Sequence, residues 1–465
     1  MDLPRQQPRR DTDQRFPQAE GLSTTAARRE RLCVVGVGRI GAVTAVGLAH
    51  LEHVVTGIDT SERRVLTLGA GRLFEAEPGL RAALRNARRF RTLSFTNNAQ
   101  LEKFDYAFLC VDTPPLPSGE PDLRQVFTAA GDAARFLNPD GILVTRSTVP
   151  VGTGDRLAVA LAALGRPDVA VVHVPEFLRE GRAWEDFREP DRLVIGGNDP
   201  RAVERVRALF AAISCPIIVC DRRSAEMAKY AANAFLATSI SFANEMSDLS
   251  EGLGADASVV FEVLRADPRI GRKAYLSPGL GFGGHCLPKD SAALEHMAIM
   301  HGRPAAQLHS TRMVNQGRVG RAVAWLRAEL GGLEGRRVCI AGLSFKRGTD
   351  DLRESPSLNL ARSLALEGAV IAGWDPGVAS LAPGYVELVS SLDQALTGAD
   401  AFVIAHDCLD ALRLAPAEVG GLMHGVVIFD APGLLDVSAW SKAGFRLNRP
   451  PKSHPGPAST GVLGP

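Results

Sequence analysis

The chain has 465 residues, enough for two or three domains with full cores. Hydrophobic residues make up 45% and charged residues 23%, the balance of an ordinary globular protein rather than a disordered or fibrous one. A net charge of +1 excludes a global field that would draw the chain to nucleic acid or to an anionic membrane, so any phosphate-bearing ligand has to be captured locally.

Residues 1–30 are rich in Arg, Gln, Asp and Pro and are predicted to form a disordered tail. The opening MDLPRQQPRRDTDQRF has no apolar stretch that reads as a signal peptide, and no apolar run approaches the roughly 18 residues that span a bilayer. Seven cysteines without a CxxC pair argue for a reducing compartment, so a cytoplasmic location without membrane contact is expected. The ten histidines form no HxxxH or HExxH pattern, so no metal site is expected. Base-reading motifs are absent, and nucleic acid is not an expected partner.

From residue 31 short β-rich runs alternate with helical stretches. LCVVGVG (32–38) leads into a helix through Gly36, Gly38 and Gly41, a GxGxxG in which the glycines make the turn, admit a pyrophosphate and pack helix on strand. The next run, VVTGID (54–59), ends in Asp59, placed to bind the ribose hydroxyls of NAD and to repel the extra phosphate of NADP. Arg63 and Arg64 follow, and an arginine there suits a 2′-phosphate as readily as a solvated helix face. YAFLCVDT (106–113), GILVTRST (141–148) and VAVVHVP (169–175) continue the alternation. Residues 224–254 then read as one long helix with Gly254 as its stop, and Lys229 and Asn233, four apart, share a face. GFGGHCLPKD (281–290) sets Cys286 among glycines that expose it to a substrate, with Lys289 near enough to hold a thiolate. RRVCIAGLSF (336–345), AVIAGWDP (369–376) and ADAFVIAHD (399–407) restart the β pattern. The expected fold is α/β: two Rossmann-like doubly wound domains joined by a long central helix. The expected boundaries are 31–216 for dinucleotide binding, 217–330 for a helical dimerisation region, 331–448 for nucleotide-sugar binding and 449–465 for a second disordered tail.

The ordered set GVGRIG, VDTP, STVPVGT, PEFLREG, AEMAKYAANAFLATSISFANE, GFGGHCLPKD and FKRGTDDLRESP, spread over residues 32–410, resembles the UDP-glucose/GDP-mannose dehydrogenase family. The resemblance implies an NAD-linked, two-step oxidation of a sugar 6-hydroxyl to a carboxylate. Cys286 then matches the nucleophile, Lys229 and Asn233 the oxyanion donors, and Asp290 the carboxylate that works with Lys229 and a water. Thr148 matches the hydroxyl that orients that water, and Glu180 the general base on the thioester. Ile40, Arg64, Thr113, Thr148 and Lys289 join Gly36, Gly38, Gly41 and Asp59 at the cofactor. Glu176, Phe177, Leu178, Gly283, Phe345, Lys346 and Arg353 fall at the nucleotide sugar. Arg269 matches an arginine that reaches the neighbouring subunit's sugar, which implies a homodimer or higher homo-oligomer built on the long helix. UDP-glucose, giving UDP-glucuronate, is the expected substrate; GDP-mannose and a UDP-N-acetylhexosamine are the alternatives, and a non-catalytic dinucleotide-binding regulator is the reading from another class. Asp112, Val174, the segment FDAPGLLD (429–436) and the interval from Arg269 to Cys286 depart from the family pattern, and all bear on the sugar rather than on the chemistry.

Overall fold

The computed structural model describes residues 29–74, 77–98, 103–380 and 384–448; the expected tails, 1–30 and 449–465, lie outside these apart from residues 29 and 30. Two sheets organise the chain. The first contains β1 (Arg31–Val35), β2 (Val54–Ile58), β3 (Leu93–Thr96), β4 (Phe104–Leu109), β5 (Leu137–Thr145), β6 (Ala170–His173), β7 (Leu193–Gly197) and β8 (Ile217–Cys220), in the order β3-β2-β1-β4-β5-β6-β7-β8. The second contains β9 (Arg337–Ala341), β10 (Val370–Trp374), β11 (Glu387–Leu388), β12 (Ala401–Ile404), β13 (Val427–Asp430) and β14 (Arg446–Leu447), in the order β11-β10-β9-β12-β13-β14. Both orders reverse direction beside the first strand of their sheet, between β1 and β4 and between β9 and β12. Such a reversal leaves a crevice at the carboxyl ends of the strands.

The inner strands are apolar on both faces because helices cover both sides. In the first sheet one face packs against Arg39–His50, Leu80–Arg89 and Pro200–Leu209, and the other against Arg124–Phe136 and Thr153–Ala163. The second sheet lies likewise between Pro356–Leu366 on one face and short helices such as Pro416–Leu422 on the other. The expected doubly wound α/β layout is therefore present twice. One departure is local: β7 runs antiparallel to β6, pairing Val172 with Gly197 and His173 with Gly196. Five strands were not apparent in the sequence pattern. β3 and β8 are four residues long and β11 and β14 only two, too short to show a period, and β7 is hidden in a run of five apolar or glycine residues.

The sheets are joined by helix. Arg222–Leu253 runs 32 residues, opened by Asp221, whose carboxylate accepts from the Ser224 N–H, and closed by Gly254 at φ 70°. Its buried stripe includes Glu226, Lys229, Asn233 and Asn244 among small and apolar residues, an unusual polar content for an inward face. A second long helix, Ala306–Leu330, carries the chain into β9.

Glu226 is almost fully buried and caps the helix Thr153–Ala163 by accepting from Gly152 N–H at 2.6 Å and Gly154 N–H at 2.7 Å. Burial pushes its carboxyl up to about 7, against those two bonds, which favour the ionised form. The folded value lies above that of a free glutamate, so the stability this group contributes is complete below about 4.3 and is lost as pH rises through about 7. The urea midpoint of the wild type is expected to fall between pH 5 and pH 8. Glu226→Gln, which does not titrate, should flatten that fall; an equal slope in both proteins would show that Glu226 is not responsible.

Candidate active site

One cleft of about 2210 Å³ runs from the carboxyl end of the first sheet, past the long helix, to the loop after β9. A single drug-sized ligand needs at most roughly 1,000 Å³, so this cleft has room for two large ligands. Its walls include Gly38, Asp59, Thr148, Glu176, Lys229, Cys286 and Lys346, drawn from all three regions of the chain.

At one end the glycine loop fits a dinucleotide. Gly36 has φ 84°, and its N–H is held by the Ile58 carbonyl at 2.8 Å. Gly41 lies so close to Gly36 that a Cβ would stand 1.8 Å from the Gly36 oxygen. At Gly38 nothing lies within 4 Å of a Cβ position, so the backbone at the start of the helix Arg39–His50 is open to a phosphate. Asp59 accepts from Val37 N–H at 2.9 Å and from Ser61 N–H at 2.8 Å, which holds the strand end against the loop. Arg64 lies 3.4 Å from Asp59, so that arginine answers the acid beside it. Ile40 lines the same end of the cleft. Thr113 donates to the Thr148 carbonyl at 2.9 Å, tying the ends of the two runs after β4 and β5 together.

At the other end sits the thiol. Cys286 precedes the helix Leu287–Met300 as its N-cap, where free N–H groups and the helix dipole favour an anion. The side chain faces the open cleft while protein surrounds it elsewhere. Burial pushes the thiol above its usual range, and Lys229 is the strongest influence pulling it down; Asp290 and Glu176 push it up, and Lys289 pulls more weakly than Lys229. The sequence reading gave Lys289 the task of holding the thiolate. In the structure its ammonium is bonded to Asp290 at 2.6 Å, with Thr113 Oγ1 at 3.5 Å, and the cation that governs the thiol comes from the long helix.

Lys229 is 5% exposed and its Nζ lies 2.9 Å from Glu176 Oε1. Burial acts to lower its ammonium, but Glu176, Cys286 and Asp290 outweigh that and hold it above the usual lysine value. The same pairing holds the Glu176 carboxyl below its usual value in spite of burial. Glu176 Oε2 also accepts from Leu178 N–H at 2.7 Å, and Phe177 sets its ring 5.5 Å from the Lys229 ammonium. Asn233, one turn further along the helix, donates to Asp290 Oδ2 at 2.6 Å. The thiol thus faces an ammonium, a buried carboxylate and an Asn–Asp–Lys chain of hydrogen bonds.

Two expectations look different in three dimensions. Glu180, expected to act on the thioester, is bonded to Arg39 and to Thr349, and the glutamate whose charge acts on the thiol is Glu176. The glycines before Cys286 serve interdomain packing more than access. A Cβ on Gly283 would meet the Glu354 oxygen at 2.1 Å, a Cβ on Gly284 would meet the Phe345 ring at 2.7 Å, and Gly284 N–H donates to the Arg353 carbonyl at 3.1 Å. Arg269, expected at a neighbouring subunit's sugar, is exposed, paired with Asp267 at 2.5 Å, and is not among the residues that line this chain's own cleft. Phe345 and Lys346 do line it, as does Arg353, whose fork is held by Asp351. Arg39 and Thr349 were not singled out in the sequence, since the variable positions of a GxGxxG and a threonine in a loop carry no signal of their own.

Three family models, all of the UDP-glucose/GDP-mannose dehydrogenase family, match the chain: the NAD binding domain over residues 30–214, the central domain over 223–317 and the UDP binding domain over 339–437. The chain is 38% identical to the UDP-glucose 6-dehydrogenase YwqF of Bacillus subtilis over 86% of its own length and 92% of that protein. A solved UDP-glucose dehydrogenase from Pyrobaculum islandicum superposes with a TM-score of 0.83 at 38% identity, covering 89% of this chain and 96% of that one. A UDP-D-ManNAc dehydrogenase from Pyrococcus horikoshii superposes with a TM-score of 0.81 at 26% identity, covering 90% and 98%.

The electrostatics of the thiol give a direct test. Alkylation of Cys286 by iodoacetamide is expected to rise with pH along a curve whose inflection lies above the roughly 8.5 of a free thiol. Lys229→Ala, which removes the strongest opposing charge, should move that inflection higher. An inflection below 8 in the wild type, or no upward movement in the variant, would contradict this account of the thiol.

Proposed function

The chain belongs to the UDP-glucose/GDP-mannose dehydrogenase family and is an NAD-dependent nucleotide-sugar 6-dehydrogenase; from that premise we propose that it converts UDP-glucose to UDP-glucuronate through a covalent adduct on Cys286. The observation that carries this reading is the buried Lys229–Glu176 pair set against a thiol at a helix N-terminus. A dehydrogenase that only interconverted alcohol and aldehyde would need neither the thiol nor the carboxylate.

NAD, when bound, supplies the hydride acceptor for each oxidation. For the first step the chain supplies Asp290 and Lys229, which with Thr148 and a water take the proton of the 6-hydroxyl. The Cys286 thiolate then attacks the aldehyde carbon, forming a C–S bond and an alkoxide. Lys229 and Asn233, buried and already oriented, suit the stabilisation of that charge. Loss of hydride from the thiohemiacetal leaves a thioester. Glu176 is held ionised by Lys229, as a general base must be, and it takes a proton from water as the water attacks. The C–S bond breaks, the carboxylate leaves, and the thiolate returns. The bonds of Glu180 to Arg39 and Thr349 favour Glu176 over Glu180 for this role.

UDP-glucose is favoured by relatives at 33–38% identity that carry the name UDP-glucose 6-dehydrogenase, against 30% for a GDP-mannose dehydrogenase and 26% for the UDP-D-ManNAc enzyme. A homodimer is supported by the apolar side chains that the long helix turns outward, among them Phe235, Leu249 and Leu253. Arg269, exposed and outside the lining of its own cleft, suits a contribution to a second subunit's site. Seven unpaired cysteines suit a reducing, cytoplasmic location.

Cys286→Ala, offered the 6-aldehyde with NAD, is expected to form no acid, with NAD binding retained. Glu176→Gln should form the thioester and release it about 10²- to 10⁴-fold more slowly, leaving an adduct on residue 286 that intact-protein mass spectrometry detects. If Glu180→Gln accumulates that adduct and Glu176→Gln does not, the general base is Glu180. Acid formation by Cys286→Ala at the normal rate would remove the covalent step altogether.

A further inference from the structure

Arg39 is the first residue of the helix that opens from the glycine loop, at the position where the dinucleotide pyrophosphate is expected. Its side chain turns away from that loop. The guanidinium pairs with Glu180, and Nη2 lies 3.9 Å from Asp350 Oδ1. Thr349 Oγ1 donates to the same oxygen of Glu180. The backbones beneath these side chains are in contact as well, since a Cβ on Gly181 would stand 2.5 Å from the Gly348 oxygen. Arg39 and Glu180 are 17% and 15% exposed, so water screens their attraction only in part. One carboxylate oxygen therefore joins the cofactor loop to the segment that carries Phe345, Lys346 and Arg353 into the cleft.

We propose that Arg39 is a positioning residue that links the glycine loop to the 345–353 segment through Glu180 and Thr349, so that cofactor and nucleotide sugar each strengthen the binding of the other. The inference rests on the reading that the cleft takes both ligands. Arg39, Glu180 and Thr349 act here as a latch, through the bonds they make to one another. Its effect lies in order: a ligand that settles the glycine loop places Arg39, which places Glu180 and with it the loop that must close on the second ligand. The cost of ordering that loop is then already met when the second ligand arrives. Linkage requires the reverse effect to be of equal size. Glu180 is four residues beyond Glu176, so the same segment that supplies the proposed base also carries the latch.

The test uses NAD and UDP, which together fill the cleft without turnover. Calorimetry gives the affinity for NAD with and without saturating UDP, and the ratio is the coupling factor. In the wild type the factor is expected to be about five or more. Arg39→Ala and Thr349→Val should each bring it towards one, and Arg39→Lys should retain part of it. If Arg39→Ala does not fold, as judged by circular dichroism, Thr349→Val decides the matter alone. A wild-type factor of one, or an unchanged factor in the folded variants, would overturn the proposal, including the case in which NAD affinity drops equally with and without UDP. UDP and GDP are first titrated alone. A preference for GDP would overturn the substrate reading, and the coupling would then be measured with GDP.

Discussion

A buried ammonium is the constraint around which this structure is arranged. Lys229 lies on the inward face of a long helix, almost out of water, and such a charge costs several kcal/mol unless it is answered at close range. The answer comes from Glu176, after the sixth strand, and from Asp290 and the Cys286 thiol at the start of the helix Leu287–Met300. Because the ammonium is held charged, Glu176 is held ionised and part of the upward push that burial gives the thiol is offset. Removing Lys229 would leave Glu176 and the thiol without the cation that acts on them most strongly, with the Asp290-bound Lys289 left as a weaker pull on the thiol. The same charge that makes the arrangement stable is the one that makes it reactive.

Bringing those segments together requires the thiol loop to be approached from behind. The loop after β9 lies directly on Gly283 and Gly284, at distances that no side chain at either position would allow. The glycines are therefore one contact between the central region and the second sheet, beside the packing of the helix Ala306–Leu330. One consequence is that the cleft has a floor from one domain and a wall from another, and residues on both sides of that contact line it.

The two sheets repeat one device and use it differently. In each, a positive-φ glycine after the first strand (Gly36 and Gly342) is held by the carbonyl ending the second strand, Ile58 or Trp374. In each, an aspartate at that strand end accepts from the residue after the glycine: Asp59 from Val37, Asp375 from Leu343. The loops part at the next position. Gly38 leaves its backbone open, whereas Ser344 fills the equivalent place and donates its hydroxyl to Asp375 at 2.7 Å. The His406 ring also occupies the space beside Gly342. The first loop can receive a pyrophosphate on bare backbone; in the second, that approach is taken by side chains.

Local order was legible in the sequence. The glycine loop follows a strand and opens a helix, Lys229 and Asn233 share a buried face, Gly254 ends the long helix, and the run of motifs pointed to the family and to NAD. These are consequences of period, of turn geometry and of residue chemistry within about 30 residues, which a sequence states directly. What the tertiary structure decided was which distant groups meet. Lys289 read as the cation for the thiol but is bonded to Asp290, and Glu180 read as a base but is held by Arg39 and Thr349, 141 and 169 residues away along the chain. A carboxylate four residues from another has the same local signature whichever one faces the substrate. Only the packing of three regions against one another gives Glu176 and Glu180 their different partners, because burial and partner charge, rather than spacing, set the surroundings of a carboxylate.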